Sequence, residues 1–361
     1  MKLYTPGPVP VPAEVMNAAC QPVLHHHSEE FRRILAEAKK YLQTIFDTNG
    51  TIALLAGSAM TGIESVSAAC IRTGDHVLVL VHGKFGERLE ACCKLRGAEV
   101  HRLEAPWGEQ IEAEQVRTKL QQLNSSCRLR AVWLVHSETS TGVSLDLEGI
   151  ARVVSEESPD TLLLVDGVTS VAIQELHTDA WKLDAVVTGA QKGLMSPPGV
   201  GIIAMSQRFE EVVRGSLSNL YVNDLQRALD VNDRDMMLWT PPVTIIRAVH
   251  MAASMIVQKG LQTVWNEHAA RGHYVRQQAL ARGFTVFGLG TSQALVLVMH
   301  PRIDEIRRAL IDRHGMMVAD GQDQASGRMM RIGICGSYTI PDLEELFGAI
   351  DEVCTHLGVG A

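Results

Sequence analysis

The chain of 361 residues contains no stretch rich in Lys and Arg, no C-x-x-C pair, no apolar run long enough to cross a bilayer, no internal repeat and no low-complexity linker. Each absence removes a class of function. With no basic stretch and a formal net charge of −8, nothing in the chain can neutralise a run of phosphates, so a nucleic-acid partner is not expected. The seven cysteines, Cys20, Cys70, Cys92, Cys93, Cys127, Cys335 and Cys354, are scattered and odd in number. Their spacing indicates neither a disulfide framework nor a metal site, and they read as small buried hydrophobes in a reducing compartment. No window reaches the ~18 apolar residues of a membrane span, and the opening segment from Met1 to Pro8 lacks the apolar core of a signal peptide. A cytoplasmic protein with no membrane partner is expected, its parts packed closely rather than strung on linkers.

What is present is an ample core. Hydrophobic residues make up 46% of the chain and charged residues 20%, the balance of a globular protein, and the length exceeds what one hydrophobic core usually serves, so a large and a smaller domain are expected. Apolar runs at 77–81, 131–135, 162–165, 185–188 and 200–205 read as strands buried on both faces. Helical patterns at 62–72, 85–96, 111–123 and 147–156 fall between several of them. This alternation predicts an α/β fold, with a mostly parallel sheet covered by helices and ligand-bearing loops at one edge. The last third has a different pattern. Amphipathic helices over about 243–259 and 261–282 precede short strands near 284–288 and 294–299, a helix over 302–314, a strand over 329–334 and a helix over 341–357. These predict a smaller α+β domain.

Two polar residues stand at the ends of the apolar strands. Asp166 closes the run 161–166, and Lys192 follows the run 185–188 inside Thr188-Gly189-Ala190-Gln191-Lys192-Gly193. A lysine that can bond an aldehyde cofactor and a carboxylate that can sit against a pyridine nitrogen are the two groups a pyridoxal phosphate enzyme needs, because the protonated ring is then an electron sink. A solvated loop lysine and a strand-end cap are the ordinary alternatives. Small residues crowded around Lys192 between two apolar strands count against them. The turn Gly57-Ser58-Ala59-Met60-Thr61-Gly62 opens a helix after an apolar stretch, where backbone N–H groups and the helix dipole can hold a phosphate; alone it would read as an N-cap. The segment His136-Ser137-Glu138-Thr139-Ser140-Thr141-Gly142 directly follows a strand. Its hydroxyls can reach a cofactor edge or simply make a turn. Phe85, at the mouth of another helix, either stacks on a ring or acts as a hydrophobic staple, and spacing alone favours the staple.

Together with Leu3-Tyr4-Thr5-Pro6-Gly7-Pro8, His26-His27-Ser28-Glu29-Glu30-Phe31, Trp239-Thr240-Pro241-Pro242-Val243 and Arg331-Ile332-Gly333, these residues resemble class V pyridoxal-phosphate aminotransferases of the alanine–glyoxylate and serine–pyruvate type, in order from residue 3 to the last helix. The resemblance implies fold type I, with a large cofactor-binding domain over 15–245 and a small domain made of 1–14 and 246–361. It makes Lys192 the cofactor-bonding lysine, Asp166 the partner of the ring nitrogen and Gln191 the neighbour that reaches the phosphate. Ser58, Ala59 and Met60 match the phosphate-binding turn, Phe85 the aromatic stacked on the ring, and Thr139 the hydroxyl near the ring oxygen. Arg331 matches the grip on the substrate carboxylate, a role suited to a planar two-pronged donor, and Gly7 lies in the segment that closes a small pocket beside it. Thr240 matches a residue that reaches the partner's phosphate, so a homodimer with shared active sites is implied.

The implied reaction carries an amino group from alanine or serine to glyoxylate or pyruvate in ping-pong order. A 2-aminoethylphosphonate–pyruvate transaminase, similar in Thr240-Pro241-Pro242, is the runner-up, and a non-catalytic accessory subunit follows. A cysteine desulfurase needs a nucleophilic cysteine shortly before the carboxylate-binding arginine, and 313–328 contains none. The chain departs from the family pattern at Ala59, Met60, Met237 and His27, where Gly, Thr or His, Tyr and Arg are common. A phosphate contact is therefore expected to weaken or pass to other groups, and no substrate contact is assigned to His27.

Overall fold

The computed structural model describes residues 1–216 and 218–358. Seven strands form the larger sheet, in the spatial order Thr51–Gly57, Gly199–Met205, Ala185–Gly189, Leu162–Asp166, Leu129–Val135, His76–Val81 and Glu99–Glu104. Gly199–Met205 runs antiparallel to both neighbours, and the remaining pairs are parallel. The inner strands are almost continuously apolar because helices cover both faces. Successive side chains point to opposite faces: Leu78, Val132, Leu134, Leu163 and Val165 join one core with the helices Ala113–Asn124 and Leu147–Glu157. Val79, Ala131, Trp133, Leu164 and Val187 join the other with Ala59–Cys70 and Lys84–Leu95. The α/β fold and its mostly parallel sheet are as expected. The edge strand Glu99–Glu104 escapes a reading by hydrophobicity because half of its residues carry charge, as exposed sheet edges commonly do.

The smaller sheet runs Lys2–Tyr4, Met316–Asp320, Met329–Gly333, Leu295–Met299, Thr285–Val286. Lys2–Tyr4 is parallel to Met316–Asp320 and the other pairs are antiparallel. Its core is Val296, Val298, Met330 and Ile332 against Val275, Ile306, Leu310, Leu343 and Phe347 from the helices Leu261–Ala281, Ile303–His314 and Ile340–Leu357. The helix Val243–Lys259, cut near its start by the expected 245/246 boundary, packs on Glu29–Phe46 and Ala13–Ala19. Its Ile246, Val249 and Ala253 belong to the core of the larger sheet. Among the described residues no helix is long and apolar enough to cross a membrane.

The first residues tie the two sheets together. After pairing with the smaller sheet, the chain crosses the end of Met329–Gly333 so closely that a Cβ on Gly333 would stand 2.2 Å from the Thr5 carbonyl. Only glycine permits that approach. Val9 N then donates to Gln191 O at 3.3 Å, which brings Thr5 to Gly7 against the loop that carries Lys192.

Candidate active site

Parallel strands end at one edge of their sheet, and ligands bind at that carboxyl edge. There His76–Val81 leads to Phe85, Leu129–Val135 to Thr139, Leu162–Asp166 ends on Asp166, and Ala185–Gly189 leads to Gln191 and Lys192. A cavity of about 180 Å³ opens among them, and Ser58, Ala59, Met60, Phe85, Thr139, Asp166, Gln191 and Lys192 all line it, with Arg88, Ser137, Val168 and Thr169. Eight expected site residues thus meet at one place. A wider cavity of about 530 Å³ lies at the opposite edge, beside Asp179, Lys182, Asp184 and Arg208, and holds none of the expected site residues.

Lys192 Nζ donates to Pro6 O at 2.9 Å. Burial holds this amine below the ordinary lysine range, and the Arg331 guanidinium pushes the same way. A Cβ on Gly7, whose φ is +140°, would lie 2.3 Å from Lys192 Nζ. Gly7 therefore presses on the lysine itself, and its lack of a side chain is what leaves the lysine room. Asp166 is 4% exposed, and its Oδ1 accepts from Val168 N at 2.9 Å. Burial, helped by the charge of Glu138 and opposed by the Val168 N–H and by Lys192, pushes its carboxyl up to about 7. A cationic group set against Asp166 would remove that penalty, because an opposite charge favours the ionised form.

These features fit pyridoxal phosphate. Asp166 is a buried carboxylate short of a positive partner, and Gln191 Oε1 is buried with no hydrogen-bond partner. Ser58 is exposed at the N-cap of Ala59–Cys70, and its N donates to Thr61 Oγ1 at 3.2 Å. The start of that helix faces the cavity with its own N–H groups, the setting in which an anion is held. Met60 supplies an apolar wall there and packs toward the core behind it.

Sequence reasoning passed over Glu138. It is fully buried; its Oε2 accepts from Phe85 N at 2.8 Å and Gly86 N at 3.2 Å, and its Oε1 accepts from Ser140 N at 3.0 Å and Ser140 Oγ at 2.6 Å. The carboxylate caps the helix Lys84–Leu95 from outside and thereby places Phe85 over the cavity. One acidic residue among apolar and hydroxyl neighbours after a buried strand was the available signal. Arg88, also unassigned, puts its Cζ 4.6 Å from the Phe85 ring centroid while lining the cavity, a cation–π contact that steadies the ring.

The remaining expected residues sit at the margin. Arg331 reaches in from the smaller sheet: its Nε donates to Asp320 O at 2.6 Å and its Nη1 to Thr139 O at 3.5 Å. Thr240 does not line the cavity; it is exposed, next to Trp239, whose ring stacks on Tyr221 at 5.4 Å. Met237 is buried in the core of the larger sheet, and His27 is exposed and packs on His26. Cys335 is wholly buried with its Sγ 3.7 Å from Pro6 O. Burial pushes its thiol up, which does not suit a nucleophile swinging on a loop.

The aminotransferase class-V family model matches residues 13–346. The chain is 30% identical to the soluble hydrogenase 42 kDa subunit of Anabaena cylindrica, over 99% of this chain and 94% of that one. It is 29% identical to the L-aspartate–glyoxylate aminotransferase of Paracoccus denitrificans (strain Pd 1222), over 93% and 87%. Among solved structures, an aspartate aminotransferase of subgroup IV from Thermus thermophilus superposes with a TM-score of 0.91 at 30% identity, covering 99% of each chain.

Proposed function

The chain belongs to the class V aminotransferases, pyridoxal-phosphate enzymes of fold type I, and from that premise we propose that it carries an amino group from alanine or serine to glyoxylate or pyruvate by a ping-pong mechanism. One observation carries the reading: Lys192, Asp166, Gln191 and Phe85 line a single small cavity, and Arg331 arrives at its wall through Thr139 O.

In this reading Lys192 would hold the cofactor covalently, Asp166 would serve as the partner of its ring nitrogen, and Phe85 and Thr139 would meet the ring. Ser58, Ala59, Met60 and Gln191 take the phosphate. When bound, the cofactor supplies an electron sink for the charge left at the substrate Cα. Arg331 binds the substrate carboxylate with two parallel hydrogen bonds and so fixes which Cα bond faces Lys192. The Lys192 amine, held below its ordinary range, would, once the substrate amine has displaced it from the cofactor, be suited to holding and releasing a proton beside the substrate Cα. Asp166 keeps a negative charge opposite the ring nitrogen. The oxo acid leaves before the second one enters, and Arg331 serves both.

Thr240, exposed in one copy, is placed by the proposal at an interface between two copies, where it reaches the partner's cofactor phosphate. The cofactor unit is taken as 15–245, and the unit bearing Arg331 as 1–14 with 246–361. A second reading makes aspartate the donor. It is favoured by Arg88, a second guanidinium on the cavity wall, which can meet a side-chain carboxylate. An accessory role is disfavoured because Lys192 and Asp166 are both intact and placed together.

The test supplies glyoxylate or pyruvate with alanine, serine, aspartate or 2-aminoethylphosphonate and follows the amino acid formed. Glycine or alanine produced with parallel double-reciprocal plots supports the proposal, and the productive donor distinguishes its two forms. Product from the phosphonate alone would transfer the assignment to a phosphonate transaminase.

A further inference from the structure

At the edge of the larger sheet opposite the cofactor cavity, three side chains able to ligate a metal meet. His76 opens the strand His76–Val81, His101 lies on the edge strand Glu99–Glu104, and Cys127 sits two positions before the strand Leu129–Val135. The ladder explains the meeting. His76 pairs with Glu99 and Leu78 with His101 on one side, and His76 pairs with Leu129 on the other. His76, Glu99 and His101 therefore share a face, the one covered by Ala113–Asn124, and Cys127 arrives beside them. Because the ligands come from three separate segments, no spacing in the sequence announces them.

His76 Nδ1 stands 3.0 Å from His101 Nε2, and that same Nε2 stands 3.9 Å from Cys127 Sγ. All three ligand atoms lie within 4.8 Å of one another. Glu99 Oε2 is 3.8 Å from His76 Nδ1. A tetrahedral zinc ion with bonds of ~2.05 Å to nitrogen and ~2.3 Å to sulfur holds its ligand atoms ~3.3 Å apart for N–N and ~3.6 Å for N–S. The His76–His101 and His101–Cys127 separations depart from these by a few tenths of an ångström, and the third pair lies within 4.8 Å. A hydrogen bond between two histidines accounts for the shorter contact, but not for a thiol brought within 4.8 Å of both imidazole nitrogens.

We propose that His76, His101 and Cys127, with Glu99 or water as the fourth ligand, bind Zn²⁺ and so pin the edge strand to its neighbours. An imidazole, imidazole, thiolate set suits a borderline cation and not Mg²⁺ or Ca²⁺. On binding, Cys127 releases its proton to solvent, and each imidazole turns a lone pair inward with its proton on the other ring nitrogen. The Lys119 charge, felt at His101, works against the ion, and that of Glu99 works for it. The ion is structural. His82, at the cofactor end of the same strand, is six residues on, roughly 20 Å at 3.3 Å per residue.

The full-length, cofactor-loaded protein is stripped with a chelator, incubated with ZnCl₂, freed of unbound metal and analysed for zinc per chain, for thermal unfolding and by X-ray absorption at the zinc edge. The expected result is one zinc per chain, one sulfur in its first shell and a raised unfolding temperature. Cys127→Ser should lose the sulfur signal, and His101→Ala, which spares the thiol, should weaken binding at least tenfold, since even outer-shell partners of a metal typically account for about 10- to 100-fold. Neither substitution should change aminotransferase turnover. The run His25-His26-His27, with His25 and His27 exposed, is the rival binder, so a variant with all three changed to Ala must keep the zinc. Zinc lost only from that variant, a sulfur signal that survives Cys127→Ser, or no zinc retained by the parent would overturn the proposal.

Discussion

The strands of the larger sheet that carry Asp166 and lead to Lys192 are buried along their whole length, whereas Met329–Gly333 of the smaller sheet leaves Arg331 partly buried between two backbone carbonyls. The first environment shifts charges: burial lifts Asp166 to about 7 and lowers Lys192. In the second, burial lowers the Arg331 guanidinium as well, but from so high a value that it remains a cation. Proton transfer gains from a dry, fixed surrounding, because preorganised charges act strongly there. Recognition of a carboxylate needs geometry more than a shifted pKa. In the proposed reading, chemistry falls to one sheet and substrate grip to the other.

The largest effect that would sharpen this contrast is at Lys192. Lys192→Ala should purify without the absorbance band of lysine-bound cofactor and should show no turnover above background; near-normal transamination would remove the lysine from the chemistry. Next, Asp166→Asn should keep the cofactor but slow Cα proton transfer by several powers of ten, since losing one such buried charge contact amounts to a few kcal/mol in the transition state. A rate within a few-fold of the parent would contradict it.

Arg331→Lys keeps the charge and loses the fork. Hydrogen bonds to charged groups are worth ~1.5–3 kcal/mol, so it should raise the half-saturating concentrations of donor and acceptor together by about 10- to 100-fold, with the cofactor spectrum unchanged. A change in donor alone would argue that two different groups hold the two substrates.

The smallest expected effect is on stability without the cofactor. The folded Asp166 carboxyl stands near 7, above an unfolded value of about 3.9. The folded chain therefore binds the extra proton across that window, and its stability falls as the pH rises through it. Asp166→Asn has no such group. Relative to the parent, its unfolding temperature should gain a few degrees between pH 5 and pH 8, and a constant gap would show that Asp166 is not held protonated.

The same contrast marks what the sequence made legible. Apolar runs buried on both faces announce themselves, so the strands around Leu162–Asp166 and Ala185–Gly189 and the polar residues at their ends could be read directly. Glu138 could not, because its role comes from a helix start fifty residues earlier in the chain that folds back onto it. Gly7 was legible as part of the site but not as the residue packed on Lys192, a contact across 185 positions that only the crossing at Gly333 creates. The edge strand Glu99–Glu104 was missed because charged residues interrupt it, and Met316–Asp320 because its four apolar residues follow the helix Ile303–His314 after a single glycine and hold only one β-branched residue to mark a strand.

The division of labour is tested most directly by rapid mixing of the parent, Asp166→Asn and Arg331→Lys with increasing concentrations of the productive donor, following the cofactor absorbance through a single half-reaction. The limiting rate and the half-saturating concentration are then obtained separately. The account predicts that Asp166→Asn lowers the limiting rate with little change in half-saturation, and that Arg331→Lys raises half-saturation with a far smaller loss of rate. If both substitutions moved the same quantity by similar factors, chemistry and grip would not be divided between the two sheets, and the account would be wrong.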